Sequence, residues 1–185
     1  MNGKLVILSG PSGCGKDTLI NRWREIRPNV KRVTAYTTRT SRPNETNGID
    51  YNFVSKERFK ELESKGHFLE WKEVHGNFYA TPLTDMENML SEGKIAILKI
   101  DVQGALDAMK KRPDAISIFI LPPSIEELEK RLRDRKQDSE ASIALRLENA
   151  RWEITHAAKY QYQVVNDDIE RAVQELDSIV TGRTT

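Results

Sequence analysis

The chain has 185 residues, enough for one domain with a sizeable core and too few for two independent ones. With 38% hydrophobic and 31% charged residues the composition excludes a disordered or fibrous chain. Lys and Arg number 29 against 28 Asp and Glu, a formal charge of +1, so no bulk attraction to nucleic acid or to an anionic membrane exists and phosphate recognition must be local.

The opening MNGKLVILSG carries an apolar run too short for a signal peptide and far short of the roughly 20 residues that span a bilayer, so a cytoplasmic protein is the expectation. KLVILS (4–9) predicts a strand, and KDTLINRWREI shows helical spacing at Leu19, Ile20 and Trp23. Between them stands Gly10-Pro-Ser-Gly-Cys-Gly-Lys16. Strand, glycine loop and helix in that order form a phosphate site: successive backbone N–H groups converge on an anion and the helix N-terminus adds partial positive charge. Lys16 would reach the β and γ phosphates. Cys14, the single cysteine, excludes an intrachain disulfide and a multi-cysteine metal site, and reads as a small filler of the loop.

Residues 36–81 are polar and turn-rich, with alternating aromatics at DYNFVS and FLEWKEVHGNFYAT, and predict a small inserted sheet. KIAILKIDV (94–102) and AISIFILPP (115–123) are further buried strands, each followed by an amphipathic helix. Ser124 with Glu127 predicts a capping box. The charge-dense segment 133–146 predicts a cover between two helices, and YQVVNDD then IERAVQELDSIV repeats strand and helix once more. Strands alternating with helices imply a parallel sheet of right-handed crossovers, with ligands beyond the strands' carboxyl ends. His67, His75 and His156 are scattered without ligand spacing, and Trp23, Trp71 and Trp152 read as packing residues.

TTRTSRPNETNGIDY supplies Arg39, Arg42 and Tyr51 with no apolar stripe to explain them, a set that can hold a monophosphate dianion by charge-assisted hydrogen bonds. Here the chain resembles the guanylate kinase family. TTRTSRPNETNGIDYNFVS, FLEWKEVHGNFYAT, IDVQGALDA, SIFILPPSIEELEKRLRDR and VVNDD match its blocks in order, from about residue 3 to 182. The resemblance implies an α/β fold: a parallel-sheet kinase core with helices on both faces (1–35, 89–132 and 147–185), an inserted mixed-sheet GMP-binding domain (36–88) and a short helical lid (133–146).

The reaction implied is direct in-line transfer of the ATP γ-phosphoryl to GMP, and to dGMP with it, driven by positioning and positive charge. By the resemblance, Gly10, Ser12, Gly13, Cys14, Gly15, Lys16, Asp17 and Thr18 hold ATP phosphates and Asn166 contacts adenine. Arg39, Arg42, Tyr51 and Tyr79 would hold the GMP phosphate. Glu70 would accept from guanine N1–H and the 2-amino group, Thr81 would reach the O6 edge, and Ala35 and Asp101 would line the same pocket. Lys16, Arg131, Arg135 and Arg146 would embrace the transferring phosphoryl group. ATP is the implied phosphoryl donor and Mg²⁺ the implied ion, with Asp17 the one candidate metal ligand; GMP and ATP are the implied partners, with no nucleic acid and no membrane. Oligomeric state is not legible.

Three positions depart from the family. Asp17 stands where a metal-holding hydroxyl is usual, Lys99 where the family commonly has an acid (LKID for Leu-Asp-Ile-Asp), and Ala35 where a serine usually contacts guanine. In the lid, RDRKQDSE replaces two flexible glycines by Asp134 and Lys136. The first two departures keep a complementary pair of charges, so Asp17 and Lys99 are expected within about 4 Å of each other. Two other functions compete: a sugar-phosphate kinase resembling the ribose 1,5-bisphosphate kinases, which also tend to carry Asp after the loop lysine, and an inactive guanylate-kinase-like module that binds phosphorylated protein segments.

Overall fold

The computed structural model describes residues 3–74, 76–134 and 139–182. Its larger sheet is five-stranded and wholly parallel. β1 (Lys4–Ser9) lies at the centre, with β7 (Ile95–Lys99) on one side and β8 (Ile116–Leu121) on the other. Beyond β7 lies β2 (Val30–Arg32), and beyond β8 lies β9 (Tyr162–Val165).

The unbroken apolar runs become strands because both faces of this sheet are covered. Alternate residues of β1 point opposite ways. Val6 and Leu8 pack with Leu19 and Trp23 of α1 (Lys16–Ile26) and Leu176 of α7 (Ile169–Thr181). Leu5 and Ile7 pack with Met86 of α3 (Leu83–Ser91) and Ala105 of α4 (Val102–Lys111). A polar clasp ties α1 to α7 at the edge of the first layer: the Trp23 indole N–H donates to Asp177 at 2.9 Å, and Arg27 Nη2 donates to the same carboxylate at 2.6 Å.

The segment expected as a small sheet forms one, in the order β4 (Asn52–Phe53), β3 (Tyr36–Thr37), β6 (Asn77–Pro82), β5 (Phe68–Val74). β3 and β4 are parallel and the other pairs antiparallel. α2 (Lys56–Ser64) covers it through Phe59, whose ring lies 4.8 Å from Phe68 and 5.2 Å from Phe78. His67 is edge-on to Tyr36 and Phe68, a packing role.

α5 (Ile125–Asp134) and α6 (Glu140–Ile154) pack through Leu128, Leu132, Ile143 and Leu147. Ser124 Oγ accepts from Glu127 N at 3.1 Å, the forward half of the predicted capping box. The described ends of segment 133–146 simply continue α5 and α6; Arg135 and Lys136, like His75, lie outside the described residues. Of the three tryptophans only Trp23 is fully buried: Trp71 is partly covered by Phe59 and Phe78, and Trp152 stacks against His156 while largely exposed. Among the described residues no helix is long and apolar enough to cross a membrane.

Trp23 is both the largest buried side chain and one partner of the Asp177 clasp. Trp23→Ala should lower the unfolding free energy by about 3–5 kcal/mol, measured by urea denaturation, because it leaves a cavity and removes a donor.

Candidate active site

The glycine loop leaves β1 at its carboxyl end and delivers the chain into α1. Gly15 is the N-cap residue, at φ +92°, and no side chain caps the helix, so its first N–H groups face the loop's concave side. Only glycine fits there, since a Cβ would stand 2.4 Å from Asn166 Nδ2. Asn166, expected against adenine, lies buried beneath the loop: its amide N–H donates to the Cys14 carbonyl at 2.8 Å, and its backbone N–H donates to Leu121. It therefore acts as a strut under the loop. The Cys14 thiol is fully buried, as a filler would be. Lys16 Nζ donates to the carbonyls of Gly10 and Pro11, the latter at 2.8 Å.

A cavity of about 420 Å³ opens over this loop. From the core it is lined by Gly10, Ser12, Gly13, Gly15, Lys16, Asp17 and Thr18. The small sheet brings Arg39, Arg42, Tyr51 and Tyr79 to the facing wall, and α6 brings Arg146. Arg39 lies over the Tyr51 ring at 5.5 Å and donates to Glu45 at 2.7 Å, while the other Glu45 oxygen accepts from Arg42 N at 2.8 Å. Arg146 Nη1 donates to Ser12 Oγ at 2.8 Å. Arg131 is turned away from this cavity, donating to Glu127 and to the Asn166 carbonyl at 3.1 Å each.

A second cavity of about 310 Å³ adjoins the first and shares Tyr51, Tyr79 and Asp101 with it. Glu70 and Ala35 line it. Glu70 is buried, which pushes its carboxyl up, against the pull of the Thr81 hydrogen bond. Thr81, expected at a base edge, is itself buried and donates to Glu70 Oε1 at 2.6 Å; its hydroxyl orients the carboxylate. Asp101 caps α4 by accepting from Gly104 N at 2.8 Å. Gly104 lies directly behind Glu70, where a Cβ would come within 2.9 Å of Oε2.

Asp17 and Lys99 form the expected pair, with Lys99 Nζ 2.6 Å from Asp17 Oδ1. Arg32 adds a second cation 3.3 Å from the same oxygen. Desolvation raises the Asp17 carboxyl, but the Lys99 charge and hydrogen bond together with Arg32 outweigh it and hold it below its ordinary value. Such a carboxylate does not suit a divalent ion. Two like unit charges 4 Å apart already repel by about 4 kcal/mol at an effective dielectric near 20, and both cations would stand beside the metal. Among the described residues no cluster of three or more His, Cys, Asp or Glu could hold a metal.

Arg32, Glu45 and Glu153 are site residues that sequence reasoning missed. Glu45 sits within the arginine segment already singled out, which was the available signal; Arg32 and Glu153 belong to a short strand and a helix with no motif. Burial lifts the Glu153 carboxyl to about 6, against the Lys16 ammonium, which lowers it.

The guanylate kinase family profile matches residues 2–183. The chain belongs to the guanylate kinase family. It is 46% identical over 181 residues to a guanylate kinase of Trichormus variabilis, covering 98% of this chain and 91% of that one. It is 44% identical to a guanylate kinase of Aromatoleum aromaticum, over 97% and 88% of the two chains. The crystal structure of guanylate kinase from Anaplasma phagocytophilum superposes with a TM-score of 0.80 at 37% identity, over 98% of this chain and 86% of that one. A shikimate kinase from Bacteroides thetaiotaomicron, at 16% identity and TM-score 0.52, shares the fold alone. Like other guanylate kinases the protein is a nucleoside monophosphate kinase, a phosphotransferase.

Gly104→Ala should improve helix propensity yet push Glu70 aside, raising the KM of the acceptor nucleotide roughly tenfold with the melting temperature unchanged or higher. Steady-state kinetics beside thermal unfolding separates the two effects. Glu153 supplies a pH test. Its folded pKa of about 6 exceeds the ordinary 4.5, so the folded chain holds a proton that the unfolded chain releases, and stability from this group falls as pH rises from 4.5 to 6. Glu153→Gln should gain on the parent across that interval by at most about 2 kcal/mol, read from denaturant titrations at pH 4.5 and 7.

Proposed function

We propose that the protein transfers the γ-phosphoryl group of ATP directly to GMP, giving ADP and GDP, and accepts dGMP in the same way. The observation that carries this reading is the junction of the two cavities. A phosphate loop stands at the floor of one, a buried carboxylate closes the other, and Tyr51, Tyr79 and Asp101 belong to both. A nucleoside monophosphate with its base in the second cavity has its phosphate in the first.

In this reading Glu70, oriented by Thr81, accepts two hydrogen bonds from the guanine N1–H and 2-amino group, an edge that adenine lacks. The phosphate of GMP exchanges the Glu45 carboxylate for its own oxygens on Arg39, beside Arg42, Tyr51 and Tyr79, and the bidentate guanidinium aims the attacking oxygen. Triphosphate oxygens draw Lys16 from the Gly10 and Pro11 carbonyls and settle on the uncapped amides of α1. Arg146, already on Ser12, lies where charge develops on the transferring group. Arg131 reaches it by leaving Glu127, and Arg135 belongs to the same proposal. Asn166 serves the ATP side by holding the loop. Residues 36–88 carry the GMP side, 133–146 the cover, and 1–35, 89–132 and 147–185 the core.

No covalent intermediate is required, since the arrangement positions and neutralises rather than attacks. Guanylate kinases use ATP, typically with Mg²⁺. The Asp17 site does not fit a protein-held ion, so no step here runs through one. Conversion of GMP to GDP at saturating ATP and Mg²⁺, set against dGMP, AMP and ribose 1,5-bisphosphate, tests the reading; no product from GMP above background would end it. In the same assay Ala35→Ser should raise the GMP over AMP ratio of kcat/KM about three- to tenfold, by adding one donor to the second cavity.

A further inference from the structure

Asp17 and Lys99 take no part in the proposed phosphoryl transfer, yet both line its cavity. Lys99 ends β7, in register with Leu8 of β1, so its side chain reaches across to the loop that β1 feeds. Asp17 sits in the first turn of α1, where the helix N-terminus favours a negative charge. The three charged groups differ in exposure. Asp17 is 61% exposed, whereas the Lys99 and Arg32 side chains are each 15% exposed, and all three line the loop cavity.

One carboxylate thus serves two cations beside the loop. Arg32 is fixed from its other end, since Nη2 donates to the Asp50 carbonyl at 2.8 Å. Among the described residues the Lys99 ammonium is held by one hydrogen bond, the 2.6 Å contact with Asp17 Oδ1. An ammonium has three donors, so two remain for other acceptors in the cavity. Burial works against the charge on Lys99, and Asp17 opposes that loss.

We propose that Lys99, aligned by Asp17, is the fixed cation of the triphosphate site, and that this loop consequently binds ATP without a divalent ion. The inference rests on the phosphoryl-transfer reading of the same cavity. A loop that ends in a hydroxyl leaves phosphate charge to a soluble metal. Here the counter-charge is covalently attached, its stem anchored by the parallel pairing of β7 with β1. Asp17 is then a positioning residue: it sets the direction of the ammonium and shares its own charge with Arg32.

Calorimetric titration with a non-hydrolysable ATP analogue, in excess EDTA and again in excess Mg²⁺, tests this without reference to turnover. For the unaltered protein the two dissociation constants should differ by less than fivefold. Lys99→Met should weaken binding in EDTA at least tenfold while its melting curve stays cooperative. The double variant Asp17→Ser with Lys99→Asp should become metal-dependent, binding at least tenfold better with Mg²⁺ than without. A fivefold or greater loss in EDTA for the unaltered protein, or unchanged EDTA affinity in Lys99→Met, overturns the proposal. Should Lys99→Met not fold, the unaltered protein's ratio decides alone. Absence of binding in both buffers would overturn the kinase reading itself, and this inference with it.

Discussion

Parallel pairing of β1 with β7 on one side and β8 on the other governs where every functional group of this protein arrives. Parallel strands present their carboxyl ends together, so the loop after β1, Lys99 and Asp101 after β7, and Asn166 after β9 meet along one edge of the sheet. That pairing depends on both faces being covered. Val6 and Leu8 need α1 and α7, and Leu5 and Ile7 need α3 and α4. Removing either layer exposes half of the central strand, and the edge that carries the chemistry loses its alignment.

The loop at that edge is supported from below. Asn166 comes from the far end of the chain and bonds to the Cys14 carbonyl, while Gly15 lies against the same amide. A buried amide costs stability unless hydrogen-bonded, and this one is satisfied by the loop it supports. Loop shape and the packing of β9 are therefore coupled. Arg131 adds a bond to the Asn166 carbonyl, so α5 shares in the same support.

Charge at the site is balanced by near neighbours rather than by solvent. Arg39 with Glu45, and Lys99 and Arg32 with Asp17, are cations held beside a cavity by carboxylates that keep them in place. A largely buried cation with a carboxylate partner keeps its direction, and for Lys99 the Asp17 charge works against the burial that lowers its pKa. Anionic ligands then compete with a carboxylate for a cation already aimed at them, so little side-chain ordering remains to be done on binding.

The sequence by itself determined the fold class and the identity of the loop. Strand periodicity, the glycine spacing at 10–16 and the cluster of Arg39, Arg42 and Tyr51 are local signals, set by chemistry between near neighbours in the chain. It also pointed to the pairing of Asp17 with Lys99, because two compensating departures stood in segments whose adjacency the fold class implies. What only the tertiary structure decided are contacts between distant segments with no local signature. Arg32 shares Asp17 because β2 happens to end beside the loop; Thr81 faces Glu70 because a cross-strand register puts it there; Asn166 lies under the loop because β9 flanks β8. Glu153, a helix residue like any other in the sequence, became titratable near neutral pH only once folding had buried it beside Lys16 and Asp101. Desolvation and register are properties of the packed chain, and no spacing along it encodes them.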